Sequence, residues 1–213
     1  MLSKDSRIRT LEDLRGKKIG IAGGPVSKGW LLLRALGLKQ GIDLKEVTEQ
    51  QYAAPPLLNV ALEKGRLDAV ITFWHFAARL EGMGYPVLTD LKAVSKELGM
   101  NSDLPMLGYV FHQDWAERNP QLVSALRSAS AQSKQYLQGS ETAWHSLRPK
   151  MKAQEDAVFS QLKDGFLAGI PGPLKAEQLT DASQMFNLLA DLGGRKLVGE
   201  SLKLDPDTFW QQP

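Results

Sequence analysis

Three short stretches of this sequence carry residue types able to hold a small molecule. Phe73, Trp74, His75 and Phe76 stand in a row. Consecutive rings can wall a planar or apolar guest, and a histidine among them supplies a neutral donor and acceptor. The same four residues serve equally well as core packing around one satisfied histidine. Gly23 and Gly24, followed by Ser27 and Lys28, offer bare backbone N–H groups, a hydroxyl and a charge. Such groups grip an anion where a loop runs into a helix start, although glycines also make ordinary tight turns and a helix-surface lysine is commonly just solvated. The third stretch, Tyr52 to Pro55, contributes Ala54 ahead of two prolines. The candidate ligand-binding residues are therefore Gly23, Gly24, Ser27, Ala54, Phe73, Trp74 and His75.

Spacing and composition exclude several chemistries. Glycines at 20, 23 and 24 do not spell G-x-G-x-x-G, and no G-K-[ST] follows, so no nucleotide loop is read here. His112 and His145 lack the spacing of metal ligands. The chain contains no cysteine, which removes disulfides, thiolate metal sites and cysteine nucleophiles. The absence of G-x-S-x-G argues against a Ser–His–Asp hydrolase. No catalytic residue, metal ligand or cofactor is assigned.

Those three stretches need elements to bring them together. Thr10 and Asp13 form a capping-box-like start for a helical turn over Leu11 to Arg15. Ile19 to Ala22 reads as an interior parallel strand, and Gly23 to Pro25 break it. Ser27 is a suitable N-cap for a helix strongest over Trp30 to Leu36 and ending before Gly37. Trp30 reads as core. Lys45 to Thr48 is a weak strand, Tyr52 to Pro56 a loop, and Leu57 to Leu62 an apolar helix face closed by Gly65. Leu67 to Phe73 is the strongest strand, with Asp68 placed to accept from nearby backbone N–H groups. A helix over Trp74 to Gly82, a strand over Pro86 to Thr89, a helix over Leu91 to Leu98, a loop GMNSDLP and a strand over Met106 to His112 follow. The rest reads as helix: from Asp114, or from Asn119 with Pro120 in the first turn, to about Leu137, then Ser140 to Leu147, Gln154 to Leu167 and Leu174 to Leu192. A stub strand at Leu197 to Val198 and a last turn over Pro206 to Trp210 complete the reading.

Strands alternating with helices imply a parallel sheet with right-handed crossovers. Ligands of such sheets bind beyond the carboxyl ends of the strands. All three candidate stretches sit at such ends.

The chain has 213 residues, 43% apolar and 23% charged, with a formal charge of +2. These values belong to an ordinary globular protein. Lysines and arginines alternate with acids, so no nucleic-acid stripe is read. No apolar run reaches the ~20 residues that span a bilayer. The opening MLSKDSRIRT has no apolar h-region or cleavage site, so it is not read as a signal peptide.

DLRGKKIGIAGGPVSKGWLLLRALG (13–37), then LLNVALEKGRLDAVITFWHFAARLEGMGYPVL (57–88), resembles the second lobe of the periplasmic substrate-binding proteins of the nitrate, sulfonate and taurine (NMT1/THI5-like) type. The shared elements are a "DLxGKxIG" stretch before a strand, a glycine/serine loop into a helix, and "ALxxGxLDA" before another strand. YVFHQDWAERNPQLVSALRSAS (109–130) resembles that family's return strand and first C-terminal helix. The resemblance implies an α/β fold, a type II-like periplasmic-binding lobe over 10–108. The mainly helical segment over 109–213 then carries the return strand and helices of the first lobe. It implies the solute-binding component of an ABC-type importer, periplasmic and not an enzyme, whose partners are a small organic or anionic ligand and a membrane permease. Two alternatives stay open: a THI5-like biosynthetic enzyme, against which the missing cysteine-rich segment counts, and a truncated accessory or regulatory module. Against the family pattern the chain is expected to lack its N-terminal lobe segment. The C-terminal helices would then leave an exposed apolar face that drives self-association.

Overall fold

The axis of the sheet is β1 (Lys18–Ala22), with β2 (Glu49–Ala53) and β3 (Ala69–Ile71) paired in parallel on either side. The structure is a computed structural model that describes residues 1–100, 103–201 and 203–210. Ala22 pairs with Ala53 and Ile21 with Ile71, so the three strands end together. Met1 to Ser3 run antiparallel along the outer edge of β3, with Ser3 N–H donating to the Asp68 carbonyl and Val70 N–H to that of Met1. Asp68 also accepts from the Lys18 N–H at 2.8 Å, the role read for it from sequence.

The two-residue period of β1 divides the core. Ile19 and Ile21, both buried, face α1 (Lys28–Lys39) and its Trp30, Leu32 and Leu36. Ala22 faces α3 (Pro55–Glu63) through Leu58 and Leu62. Gly20 lets those side chains close over the strand: a Cβ there would lie 2.7 Å from a Leu67 methyl and 2.8 Å from a Leu58 methyl, which would have to shift. Each fully buried aliphatic side chain contributes roughly 1.5–3 kcal/mol, which makes these two layers the main stabilising body. Helices on opposite faces are what two right-handed crossovers running in opposite directions, β1 to β2 and then β2 to β3, require.

Several sequence expectations shift. Asp43 accepts from the Lys45 N–H and turns Leu44–Val47 into a one-turn helix, α2, where a strand was expected. The strand instead occupies Glu49–Ala53, part of which was read as loop. Helix α1 continues past Gly37 to Lys39, and Gly37 serves packing rather than termination: the Ile42 carbonyl lies 2.8 Å from where its Cβ would stand. On α3 the buried face is Leu58, Asn59 and Leu62, and Leu57 and Val60 are exposed. The expected strands over Pro86 to Thr89 and Met106 to His112 do not form: the Pro86 carbonyl accepts from the Leu2 N–H, but among the described residues neither stretch joins the sheet. Leu197 and Val198 belong to a helical turn rather than a stub strand. Asn101 and Ser102 of the expected loop lie outside the described residues.

Helix α4 (Trp74–Gly82) has the limits expected of it, and α5 (Leu91–Glu97) is capped by Asp90. The helical remainder comprises α6 (Gln113–Arg118), α7 (Pro120–Gly139), α8 (Glu141–Met151), α9 (Asp156–Ala168), α10 (Ala176–Gly193) and the turn α11 (Arg195–Val198). Of the two starts read for the long helix, Asn119 with Pro120 is the one that opens α7, and Asn119, at φ −133° and ψ 47°, separates it from the short α6. Helix α10 lies on α1, where Met185 joins the larger core cluster. Helix α9 crosses α4, and Ala78, Trp144, Val158, Phe159 and Leu162 form a third cluster there. The crossing is close because Gly82 has no side chain: a Cβ would stand 2.6 Å from the Val158 Cα. Helix α7 buries Val123 and leaves Leu122, Leu126 and Tyr136 exposed.

Candidate functional site

All three candidate loops emerge at the carboxyl ends of the parallel strands. After Ala22 the chain reverses through Gly23 (φ 86°) and Gly24 (φ 82°), a left-handed conformation open to glycine without strain. Ser27 N–H donates to the Gly24 carbonyl at 3.1 Å, and Ser27 then stands at the N-cap of α1. Its hydroxyl caps no backbone N–H there. Ala54, exposed, holds the corresponding position for α3, and Phe73 for α4.

These three helix starts share an electrostatic condition. None of α1, α3 and α4 has a capping side chain or an acidic residue in its first turn. By contrast α2, α5 and α8 draw on Asp43, Asp90 and Ser140. The positive ends of three helix dipoles, each equivalent to about half an elementary charge, therefore face one rim without a protein anion to meet them. Lys28 adds a charge at the edge. Its ammonium is half-buried and donates to the Met106 carbonyl at 2.6 Å, and burial lowers its pKa. It is thus engaged rather than solvated.

The aromatic row divides. The Phe73 ring comes within 3.9 Å of where a Gly23 Cβ would stand, so it covers the glycine loop while remaining 49% exposed. Trp74 turns the other way and lies against α9, where Gly165 leaves its ring room: a Cβ there would be 3.3 Å from the indole. His75 stacks near Phe76, with ring centroids 4.5 Å apart, and meets Trp74 edge-on at 5.5 Å. Burial holds its pKa below the usual histidine value, with the Arg79 charge acting in the same direction, so the ring is neutral at pH 7.

Trp74 and His75 border a cavity of about 350 Å³ between α4 and helices α7 to α9. The structure therefore brings Gly23, Gly24, Ser27, Ala54 and Phe73 to one rim and assigns Trp74 and His75 to a cavity beside it. Four contributors escaped the sequence reading. Thr72, at the end of β3, has a buried hydroxyl oxygen without a hydrogen-bond partner. Arg79 falls one helical turn after His75, an i,i+4 spacing that signals a shared face. Trp144 and Phe166 come from α8 and α9 and meet at 5.5 Å, a long-range contact with no local signal. Among the described residues no three His, Asp or Glu side chains gather to hold a metal, and no helix is long and apolar enough to cross a membrane.

The family model described as NMT1/THI5 like matches residues 1–140. No curated protein matches the chain. Among solved structures, the periplasmic aliphatic sulphonate binding protein SsuA from Escherichia coli superimposes with a TM-score of 0.66 at 21% identity, over 100% of this chain and 64% of its own. The alkanesulfonate-binding protein SsuA from Xanthomonas axonopodis pv. citri, bound to MOPS, gives 0.60 at 20% identity, over 91% and 63%. A periplasmic sulfonate-binding protein SsuA from Methylobacillus flagellatus KT gives 0.62 at 18% identity, over 92% and 57%. The chain thus spans about three fifths of the length of these structures.

Proposed function

The chain belongs to the NMT1/THI5-like family, and on that premise we propose that it is a solute-binding component of an ABC-type importer. In this reading it works in the periplasm with a membrane permease and captures a small organic or anionic ligand without transforming it. Residues 10–108 are the ligand-holding lobe, and 109–213 carry the return segment and helices of the opposite lobe. Gly23, Gly24, Ser27, Ala54 and Phe73 line the cleft, with Trp74 and His75 at its border. The observation that carries the reading is the convergence of three uncapped helix starts and a glycine loop on one rim of the parallel sheet. Bare N–H groups and helix dipoles favour negative charge, and the half-exposed Phe73 ring offers an apolar wall. The sulfonate ligands named for the structural relatives fit such a rim. The absence of cysteine supports binding rather than the chemistry of the cysteine-bearing enzymes on this scaffold.

A thermal-shift screen of alkanesulfonates, nitrate and pyrimidines tests it. A ligand at a hundredfold its Kd adds about 2.7 kcal/mol to stability, a shift of several degrees. The shift should appear in the parent protein and shrink in Ser27→Ala and Phe73→Ala. A hit whose shift survives both substitutions unchanged would place the ligand elsewhere and overturn the rim.

A further inference from the structure

The cavity beside the rim has a chemistry of its own. Its volume of about 350 Å³ falls within the ~300–1,000 Å³ of small-molecule pockets. Its walls are chiefly ring and aliphatic carbon from Trp74, Trp144, Leu162 and Phe166. Two of the wall polar groups are committed: the Trp144 indole N–H donates to the Leu137 carbonyl at 2.7 Å, and Arg79 donates to the Met151 and Lys152 carbonyls. Those bonds fix the guanidinium without cancelling its charge, since carbonyls carry none. Lys150 also lines the cavity, is exposed, and forms no ion pair among the described residues. Among the described residues no carboxylate lines the space. Two cations and several rings with no acid make a surface complementary to a flat body bearing negative charge.

We propose that this cavity is a second small-molecule site, distinct from the loop rim, for a planar aromatic anion. The aromatic body rests on the indole and phenyl walls, and the acidic group lies toward Lys150 and Arg79. Gly165 belongs to the same arrangement, because its bare Cα lets Trp74 lie against α9 and keep the space open.

Isothermal titration of the full chain with naphthalene-2-sulfonate, naphthalene-2-carboxylate and the neutral 2-naphthalenemethanol tests the assignment. The expected result is saturable binding of one anion per chain. Lys150→Glu, an exposed substitution, should weaken both anions by about fivefold to tenfold, the scale of reversing one partly screened charge. It should leave the neutral probe unchanged. Leu147→Trp, which places a large ring at the cavity wall, should weaken all three probes by more than tenfold, whereas Phe73→Ala and Ser27→Ala should weaken none. No saturable binding, or equal loss of neutral and anionic probes in Lys150→Glu, overturns the proposal. So does binding that persists in Leu147→Trp or disappears in Phe73→Ala, because the probe then lies on the α7 surface or in the rim. Should Leu147→Trp fail to fold, the Lys150→Glu comparison decides alone. Failure here leaves the rim reading standing, since neither Lys150 nor Leu147 belongs to it.

Discussion

At the scale of single residues, His75 is the group most open to test. Its folded pKa lies below the ordinary histidine value, first from burial and then from Arg79. Above the unfolded pKa, near 6.5, both states are neutral and the shift costs nothing. As pH falls through that value the unfolded chain takes up a proton that the folded chain resists, so stability declines until the folded pKa is passed. Urea midpoints from pH 7.5 down to pH 5 should therefore fall less steeply in His75→Gln than in the parent, after the shared acid loss is subtracted. Identical slopes would mean that the ring is freely hydrated. The aromatic row Phe73 to Phe76 and its place just past a strand were legible in the sequence. Its division was not, because the direction each ring takes depends on Gly23 before it and Gly165 long after it.

At the scale of elements, β1, the glycine loop and α4 were plain in the sequence because local signals agreed: β-branched residues, bounding glycines, then an apolar helix period. The edge strand β2, EQQYA, was hidden. It has little apolar content and a mostly exposed pattern, so pairing to β1 rather than its own side chains makes it a strand. The reverse error at Met106 to His112 has the same cause, since an apolar run with no ladder to join remains unpaired whatever its propensity. Helix crossings leave a fainter trace, and Gly82 is one. Gly82→Ala gains up to about 1 kcal/mol of helix propensity but drives a methyl into the Val158 backbone, an overpacking that costs about 1–3 kcal/mol. We expect net destabilisation of about 1–2 kcal/mol, read as a lower urea midpoint at unchanged slope. A variant as stable as the parent would show that α9 shifts freely on α4.

At the scale of the whole molecule, the helical segment is divided in its use of apolar surface. Helices α9 and α10 bury theirs on α4 and α1, whereas α7 holds Leu122, Leu126 and Tyr136 in the open. Beyond α5, Leu107 is 86% and Val110 95% exposed. Uncovered apolar surface of this kind favours contact between copies. Sedimentation should show concentration-dependent association of the isolated chain, and Leu122→Glu with Leu126→Glu should diminish it. A monomer at every concentration, with no dye bound to α7, would refute this.

One bond described above ties the scales together. The Lys28 ammonium stands at the first residue of α1 and grasps the Met106 carbonyl, where the chain leaves the α/β layers. If the rim holds an anion as proposed, that anion and the Met106 oxygen would share one positive charge, so the bond that fastens the route out of the lobe is the first to register what the lobe contains.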